Sequence, residues 1–436
     1  MDPASNARPG AGARLRAAAV RFVSAPASPL PLGVLRIGLG LLLLSQALLV
    51  AGHLGEIYDS RGLLQAPVND QFVLPWTPRV HWATRAFAAL GLQESAAIRA
   101  VFALHLAAAT AFLVGWRARL AAVAVWLTHL TLVSSSLGYC YGLDTFMRIA
   151  LFYCVFAPVG HALSLDVLAG RVSGAPSFGA RLALRALQLQ LALVYAATGL
   201  EKASGVQWWD GEALWRSWMR ADLGTIDFSW VASMPWVAKI GCWATLLVEV
   251  GYAVFIWIPR TRRPWALATI ALHAGIGLTL GLVGFACIMM LFTACAWLVP
   301  SAPPLPRALR SSALTVAYDG SCRVCRAAVG LALQAGRHAF RPVGRNHARR
   351  LPGLPGAGAT QMVSVDAAGR ARTGAEAFLS MWAHALGWPA LQRLAGLRLV
   401  GATYGLFARH RHAVCRAGCA TGAAADTWAH GRARTP

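Results

Sequence analysis

Leu314-Thr-Val-Ala-Tyr318-Asp319-Gly320-Ser321-Cys322-Arg323-Val-Cys325-Arg326-Ala-Ala-Val-Gly330 decides the fold of the C-terminal part of the chain. The apolar, β-branched run Leu314 to Ala317 predicts a strand, Asp319-Gly320 a turn, and the Ala/Val/Leu segment beyond it a helix. Cys322 and Cys325 then fall in the first helical turn, on one face. The helix N-terminus and the flanking Arg323 and Arg326 favour a thiolate over a thiol. Cys322, nearer that terminus and predicted to be the more exposed, is the attacking sulfur, and Cys325 the resolving one. The same residues admit a zinc reading, in which Cys415 and Cys419 complete a four-cysteine tetrahedron, although structural sites usually place their pairs closer in sequence.

The string Tyr318-Asp319-Gly320-Ser321-Cys322-x-x-Cys325 resembles the opening of the DCC family of thiol-disulfide oxidoreductases. Tyr404-Gly-Leu-Phe-Ala-Arg409-His-Arg411, running to Cys415 and Cys419, is similar to the family's closing segment, so the likeness spans 314–420. It implies a thioredoxin-like α/β domain that exchanges electrons with a thiol or disulfide protein or a small thiol. Between the two ends, Phe340-Arg-Pro-Val and Gln361 to Asp366 predict two more strands. Ala368-Gly369 then turns into Arg370-Ala-Arg, and a helix follows from Ala375 to Leu386, with another from Leu391 to Val400. Pro342 is out of place for the proline that precedes a strand in thioredoxins.

Upstream the composition changes. The chain is 57% hydrophobic, 13% charged and carries 17 tryptophans, a profile of polytopic membrane proteins. Residues 301–436 hold 18 arginines against four acids, so this part is basic and soluble, with an anionic membrane surface as its natural partner. No aromatic-basic interleaving or reading motif points to nucleic acid. Residues 1–31, rich in Ala, Pro and Gly with Arg8, Arg14, Arg16 and Arg21, read as a disordered basic arm. Apolar runs at about 32–52, 98–115, 120–136, 146–163, 183–200, 237–258, 265–281 and 285–300 predict about eight transmembrane helices. The linker 301–313 is proline-rich, and 421–436 is a disordered tail.

Lys and Arg set the orientation. The arm and the segments 116–119, 161–185 and 259–264 carry twelve, and the intervening loops six. The first set is therefore cytoplasmic, and an even number of spans returns the C-terminal domain to the same side, where thiols are kept reduced. The expected place is the cell inner membrane, with both termini cytoplasmic.

Arg185-Ala-Leu-Gln188-Leu-Gln190 through Tyr195-Ala-Ala-Thr-Gly199-Leu200-Glu201-Lys202, followed by Trp208-Trp209-Asp210-Gly211-Glu212, resembles the HTTM domain shared with vitamin K-dependent gamma-carboxylase. Leu35 to Gly40 and Tyr141 to Asp144 fit the same family, over roughly residues 25–300. The resemblance implies that Lys202 is a base that deprotonates a quinol, with His273 in the same site, and that a quinone or quinol is the cofactor of this half. Read from the residues alone, Lys202 is either an interfacial anchor beside Trp208 and Trp209 or a base. Lys202 and Lys239 are the only lysines among forty basic residues, and only an amine, not a guanidinium, can act as a base near neutral pH.

Glu249, His105, His129 and His273 each lie eight to ten residues from a predicted cytoplasmic helix end, roughly 12–15 Å deep at 1.5 Å per residue. One layer near the midplane would make a chamber for a quinone head group, a proton path or a metal. Alternatively each bonds a neighbouring helix. Glu249 and His273, on consecutive antiparallel helices, are the expected pair. Arg36, Arg99 and Arg148 lie near helix ends and are expected to snorkel, with Arg148 pairing to Asp144.

The sequence thus predicts an all-α polytopic bundle (32–300) followed by a thioredoxin-like α/β domain (314–420), and thiol-disulfide exchange at the membrane as its function. Quinol-dependent chemistry at Lys202, or an anchor or transporter with a redox-sensing tail, are the alternatives.

Overall fold

The computed structural model of the chain describes residues 11–62, 65–223, 226–301, 314–320, 322–335, 340–344, 361–386, 389–397, 400–406 and 408. The chain divides into two compact units, 1–165 with 177–299, and 300–436 with 166–176.

The first unit is helical. Among the described residues, nine helices of eleven residues or more frame it: α1 Ala11–Ser24, α2 Leu30–Val50, α3 Glu94–Val114, α4 Ala118–Ser134, α5 Gly142–Phe156, α6 Phe178–Ser204, α7 Trp236–Phe255, α8 Arg262–Leu280 and α9 Val283–Thr293. A π-helical turn, Ala294–Leu298, extends α9. Helices occupy all eight apolar stretches, and four of them, Leu30–Tyr58, Glu94–Val114, Phe178–Ser204 and Trp236–Phe255, are long and apolar enough to cross a membrane. The others are shorter, as α4 and α5 are, or open on charge, as α8 does at Arg262-Arg263.

Buried Leu, Ala, Phe and Met side chains of α2 through α9 form one core. α3 stops at Gly115, whose φ of +68° is the left-handed conformation glycine tolerates. A Cβ there would also lie 2.8 Å from the Arg36 guanidinium. Arg36 itself is fully buried, contrary to the snorkelling expected of it. Its guanidinium donates to the carbonyls of Val159 (2.8 Å), Ala162 (3.0 Å) and Leu163, tying α2 to the loop after α5. Asp144 does not pair with Arg148 either. It accepts from Gln46 Nε2 and from the Tyr141 backbone N–H, which caps α5.

Residues 11–24, expected to be irregular, form a helix. α1 is docked by Arg185 Nε to the Phe22 carbonyl (3.0 Å) and Arg181 Nε to that of Ala25 (2.6 Å), and Ala27 makes a β-bridge to Ser177. Composition could not show this, because the partners lie some 150 residues away in sequence.

The second unit holds a four-stranded mixed sheet in the order β2-β1-β3-β4: β1 Leu314–Tyr318, β2 Arg341–Gly344, β3 Val363–Asp366 and β4 Ala371–Thr373. β1 lies inside the sheet, parallel to β2 (Val316 opposite Pro342) and antiparallel to β3 (Val316 opposite Ser364). Pro342 is tolerated because β2 is an edge strand, where a missing N–H costs no ladder bond. α10 (Arg323–Ala335) links β1 to β2, and α11 (Gly374–Leu386) follows β4. Residues 391–396, expected to open an α-helix running to 400, lie instead in a 3-10 helix, Pro389–Gly396. The fold is mostly helical, with a small C-terminal mixed sheet consistent with a thioredoxin-like domain.

Candidate functional site

The two cysteines meet at the end of β1. The Cys322 N–H donates to the Asp319 carbonyl at 3.2 Å, closing the turn predicted at Asp319-Gly320. Gly320 is not among the glycines with positive φ, and a Cβ there would meet nothing within 4 Å. α10 begins at Arg323, so Cys322 stands just before the helix as its N-cap and only Cys325 lies in the first turn. The Cys322 carbonyl accepts from the Arg326 N–H (3.0 Å). Cys322 Sγ accepts from the Cys325 N–H at 3.4 Å, the bond an N-cap side chain makes to the third helical residue, here with sulfur in place of oxygen.

The predicted difference in exposure is overturned: Cys322 is 1% and Cys325 7% exposed. Tyr318 and Val324 pack on the two sulfurs, because a strand end and a helix start pointing into one small core leave both on its inner side. What distinguishes Cys322 is therefore its place at the helix terminus, where a backbone N–H and the helix dipole stabilise negative charge on sulfur. Arg326 lies one turn on and is half-buried. The Arg323 side chain, Cys415 and Cys419 fall outside the described residues, and with the last two the zinc reading. Met362, before β3, has its backbone committed, the N–H to Tyr404 Oη (3.4 Å) and the carbonyl to the Gly374 N–H (2.9 Å).

The bundle holds a second constellation. Lys202 Nζ donates to Glu249 Oε2 at 2.8 Å, and Thr198 Oγ1 donates to the same oxygen at 3.1 Å. Tyr195 Oη and His273 Nε2 are bonded at 2.7 Å. The expected Glu249–His273 pair is therefore replaced by two pairs, each with a partner on α6. Gly199 is the reason, because a Cβ there would lie 2.9 Å from the Val250 nitrogen and 3.1 Å from the Glu249 carbonyl carbon. Its absence lets α7 approach α6 until Glu249 reaches Lys202.

Gln188, Tyr195 and Lys202 are spaced by sevens on α6 and each finds a partner on another helix, Gln188 at the Ala296 carbonyl of the π turn (2.6 Å). The seven-residue spacing of polar groups on an apolar helix is a signal the sequence carries, but of these three only Lys202 was expected to be functional, and Thr198 was not. Lys202 Nζ also sits 5.5 Å from the centre of the Trp208 ring. His105 and His129 stand apart from this group, with rings 6.1 Å apart and His105 Nδ1 3.0 Å from Thr128 Oγ1. The single layer predicted for the three histidines and Glu249 is thus two clusters. Among the described residues no three His, Cys, Asp or Glu side chains are grouped to hold a metal.

A strand leading through a tight turn to a cysteine at a helix N-terminus, with a second cysteine three residues on, is the arrangement of a dithiol domain. Residues 316–417 match the family of DCC1-like thiol-disulfide oxidoreductases. The match covers the described sheet except Leu314 and Thr315 at the start of β1, and supports a thiol-disulfide oxidoreductase function for this part of the chain. No curated protein and no solved structure matches the chain.

Proposed function

We propose that the protein is a membrane-anchored thiol-disulfide oxidoreductase whose chemistry runs through Cys322 and Cys325. The observation that carries the reading is the capping of α10 by Cys322 Sγ within the segment that matches the oxidoreductase family. The Cys322 thiolate attacks one sulfur of a disulfide on a protein or small-thiol partner, forming a mixed disulfide and releasing the partner's other sulfur as a thiolate. Cys325, deprotonated, attacks Cys322 Sγ, and the partner leaves as a dithiol. Two electrons pass to the partner, and the domain keeps the Cys322–Cys325 disulfide. The bundle, in eight crossings with both termini cytoplasmic, holds this domain at the inner membrane.

The test uses the full chain in lipid nanodiscs. Equilibration across glutathione ratios and thiol alkylation should yield a two-electron couple assigned to Cys322–Cys325. Cys325→Ser should accumulate a mixed disulfide on Cys322. A disulfide that instead joins either residue to Cys415 or Cys419, or stoichiometric zinc on these four, overturns the assignment.

A second reading is favoured by the Lys202–Glu249 bond and by the resemblance of α6 to the gamma-carboxylase membrane domain. In it Lys202 is a base toward a quinol, with Glu249 holding the amine in place and the Tyr195–His273 pair beside it. Glu249→Gln and His273→Ala should then slow re-oxidation of the C-terminal dithiol by membrane quinone while thiol exchange with soluble substrates stays unchanged. Equal re-oxidation rates in both variants would leave the bundle as an anchor or as a separate enzyme on the same chain.

A further inference from the structure

We propose that Arg181, Arg185 and Arg262 form a site for the phosphate of an anionic phospholipid, at the end of the bundle where α6 and α8 begin and α1 docks. Arg181 and Arg185 stand one turn apart on α6, and Arg262 opens α8. All three are half-buried, and Arg185 feels the positive charge of both of the others.

Each guanidinium is held in place without being neutralised. Arg181 donates through Nε to the Ala25 carbonyl (2.6 Å) and through Nη2 to that of Pro26 (3.4 Å). Arg185 donates to the Phe22 carbonyl and, through Nη1, to Gln188 Oε1 (2.6 Å). Arg262 donates through Nε to the Ile256 carbonyl (3.3 Å) and through Nη2 to that of Trp257 (3.1 Å). One terminal nitrogen of each, Nη1 of Arg181, Nη2 of Arg185 and Nη1 of Arg262, has no protein hydrogen-bond partner among the described residues.

Aromatic rings fix the geometry. The Arg185 guanidinium lies 3.7 Å over Phe22, Phe22 meets Trp257 at 5.8 Å, Trp257 meets Trp297 at 4.9 Å, and Arg262 covers Trp297 at 5.5 Å. Stacked, planar and preorganised guanidiniums suit bidentate recognition of phosphate oxygens.

Among the described residues no carboxylate forms an ion pair with them. Residues 3–55, 167–200 and 250–318, which include every segment of this site, contain no Asp or Glu. Asp166, the acid nearest in sequence to Arg181, is bonded to Arg171 (3.1 Å). Three guanidiniums packed together without an acid repel one another unless an anion joins them. Trp257 and Trp297 beside the cluster are the residue type enriched at membrane–water interfaces, which favours a membrane lipid over a soluble anion.

The full-length protein, exchanged into neutral detergent and studied by native mass spectrometry, should bind phosphatidylglycerol in preference to phosphatidylcholine with a saturable stoichiometry. Arg262→Gln should weaken that binding about fivefold, the scale of one basic residue at an anionic surface. Arg181→Gln/Arg262→Gln should weaken it further, and Arg99→Gln, on another helix, should not change it. Equal retention of the two lipids by the wild-type protein would overturn the site whether or not any variant folds. Full displacement of phosphatidylglycerol by millimolar inorganic phosphate would show a soluble-anion site and overturn the lipid assignment.

Discussion

The two candidate pairs of this molecule are built in opposite ways. Cys322 and Cys325 are three residues apart, and one turn with one helix start joins them. Lys202 and Glu249 are 47 residues apart and meet only because two long helices pack closely at Gly199. A pair made by local structure survives changes elsewhere in the fold, whereas a pair made by packing is lost when the packing loosens. The cysteine pair is also the one inside the segment that matches a known oxidoreductase family. Other sulfurs show the contrast from another side. Cys140, in the segment between α4 and α5, donates to the carbonyls of Ser136 (3.3 Å) and Val133 (3.4 Å), and burial pushes its thiol up to about 11, away from thiolate chemistry.

The sharpest break in this comparison comes from the nucleophile. Cys322→Ser should lower disulfide reduction by the full chain by a factor on the order of a thousand or more, as removal of a covalent nucleophile does. The Lys202–Glu249 pair should be untouched, with an unchanged unfolding midpoint. A residual rate near wild type would move the chemistry to another thiol.

In the bundle the largest effect belongs to the ion pair. Removing one partner, as Glu249→Leu or Lys202→Met, leaves a charge in a mostly apolar setting and should cost about 3 kcal/mol, while the double variant recovers much of that loss. Thermal unfolding in nanodiscs measures the cycle. Additive single losses would mean that the pair contributes no coupling.

Two glycines then separate packing from local geometry. Gly199→Ala forces a Cβ against the α7 backbone and should cost about 1–3 kcal/mol, lengthening the Lys202–Glu249 contact. Gly320→Ala meets open space and should stay within about 0.5 kcal/mol, with thiol exchange intact. The reverse order of effects would refute the account of both sites.

The smallest effect is electrostatic. Backbone N–H donation from Arg370, then the Arg370 side chain and charge and the Ala368 N–H, hold the Asp366 carboxyl below its ordinary value. Its contribution to the β3–β4 hairpin is thus fully present above the unfolded carboxylate pKa and is lost as pH falls through the depressed one. Asp366→Asn should flatten the acid limb of the C-terminal domain's unfolding profile and leave neutral pH little changed.

Much of this was legible before the structure. The alternation from strand to turn to helix at 314–330, the hairpin at Ala368-Gly369 and the apolar runs of the bundle are written in local pattern, because hydrophobic period and turn chemistry act over a few residues. The exposure of Cys322 was misjudged for the opposite reason. Burial depends on what Tyr318 and Val324 do from either side of the turn, and spacing carries no information about that.

The sequence alone determined that the chain joins an apolar helical part to a basic α/β part with a Cys-x-x-Cys at a strand-to-helix turn. It also singled out Lys202, Glu249 and His273 as the polar residues of interest in the bundle. Tertiary structure decided the partners: Glu249 for Lys202, His273 for Tyr195, the π-turn carbonyl of Ala296 for Gln188, and Phe22 and Ala25 for the arginines that dock α1. A residue's type and period fix which way it faces, but which group waits across the interface is set by helices brought together from distant parts of the chain.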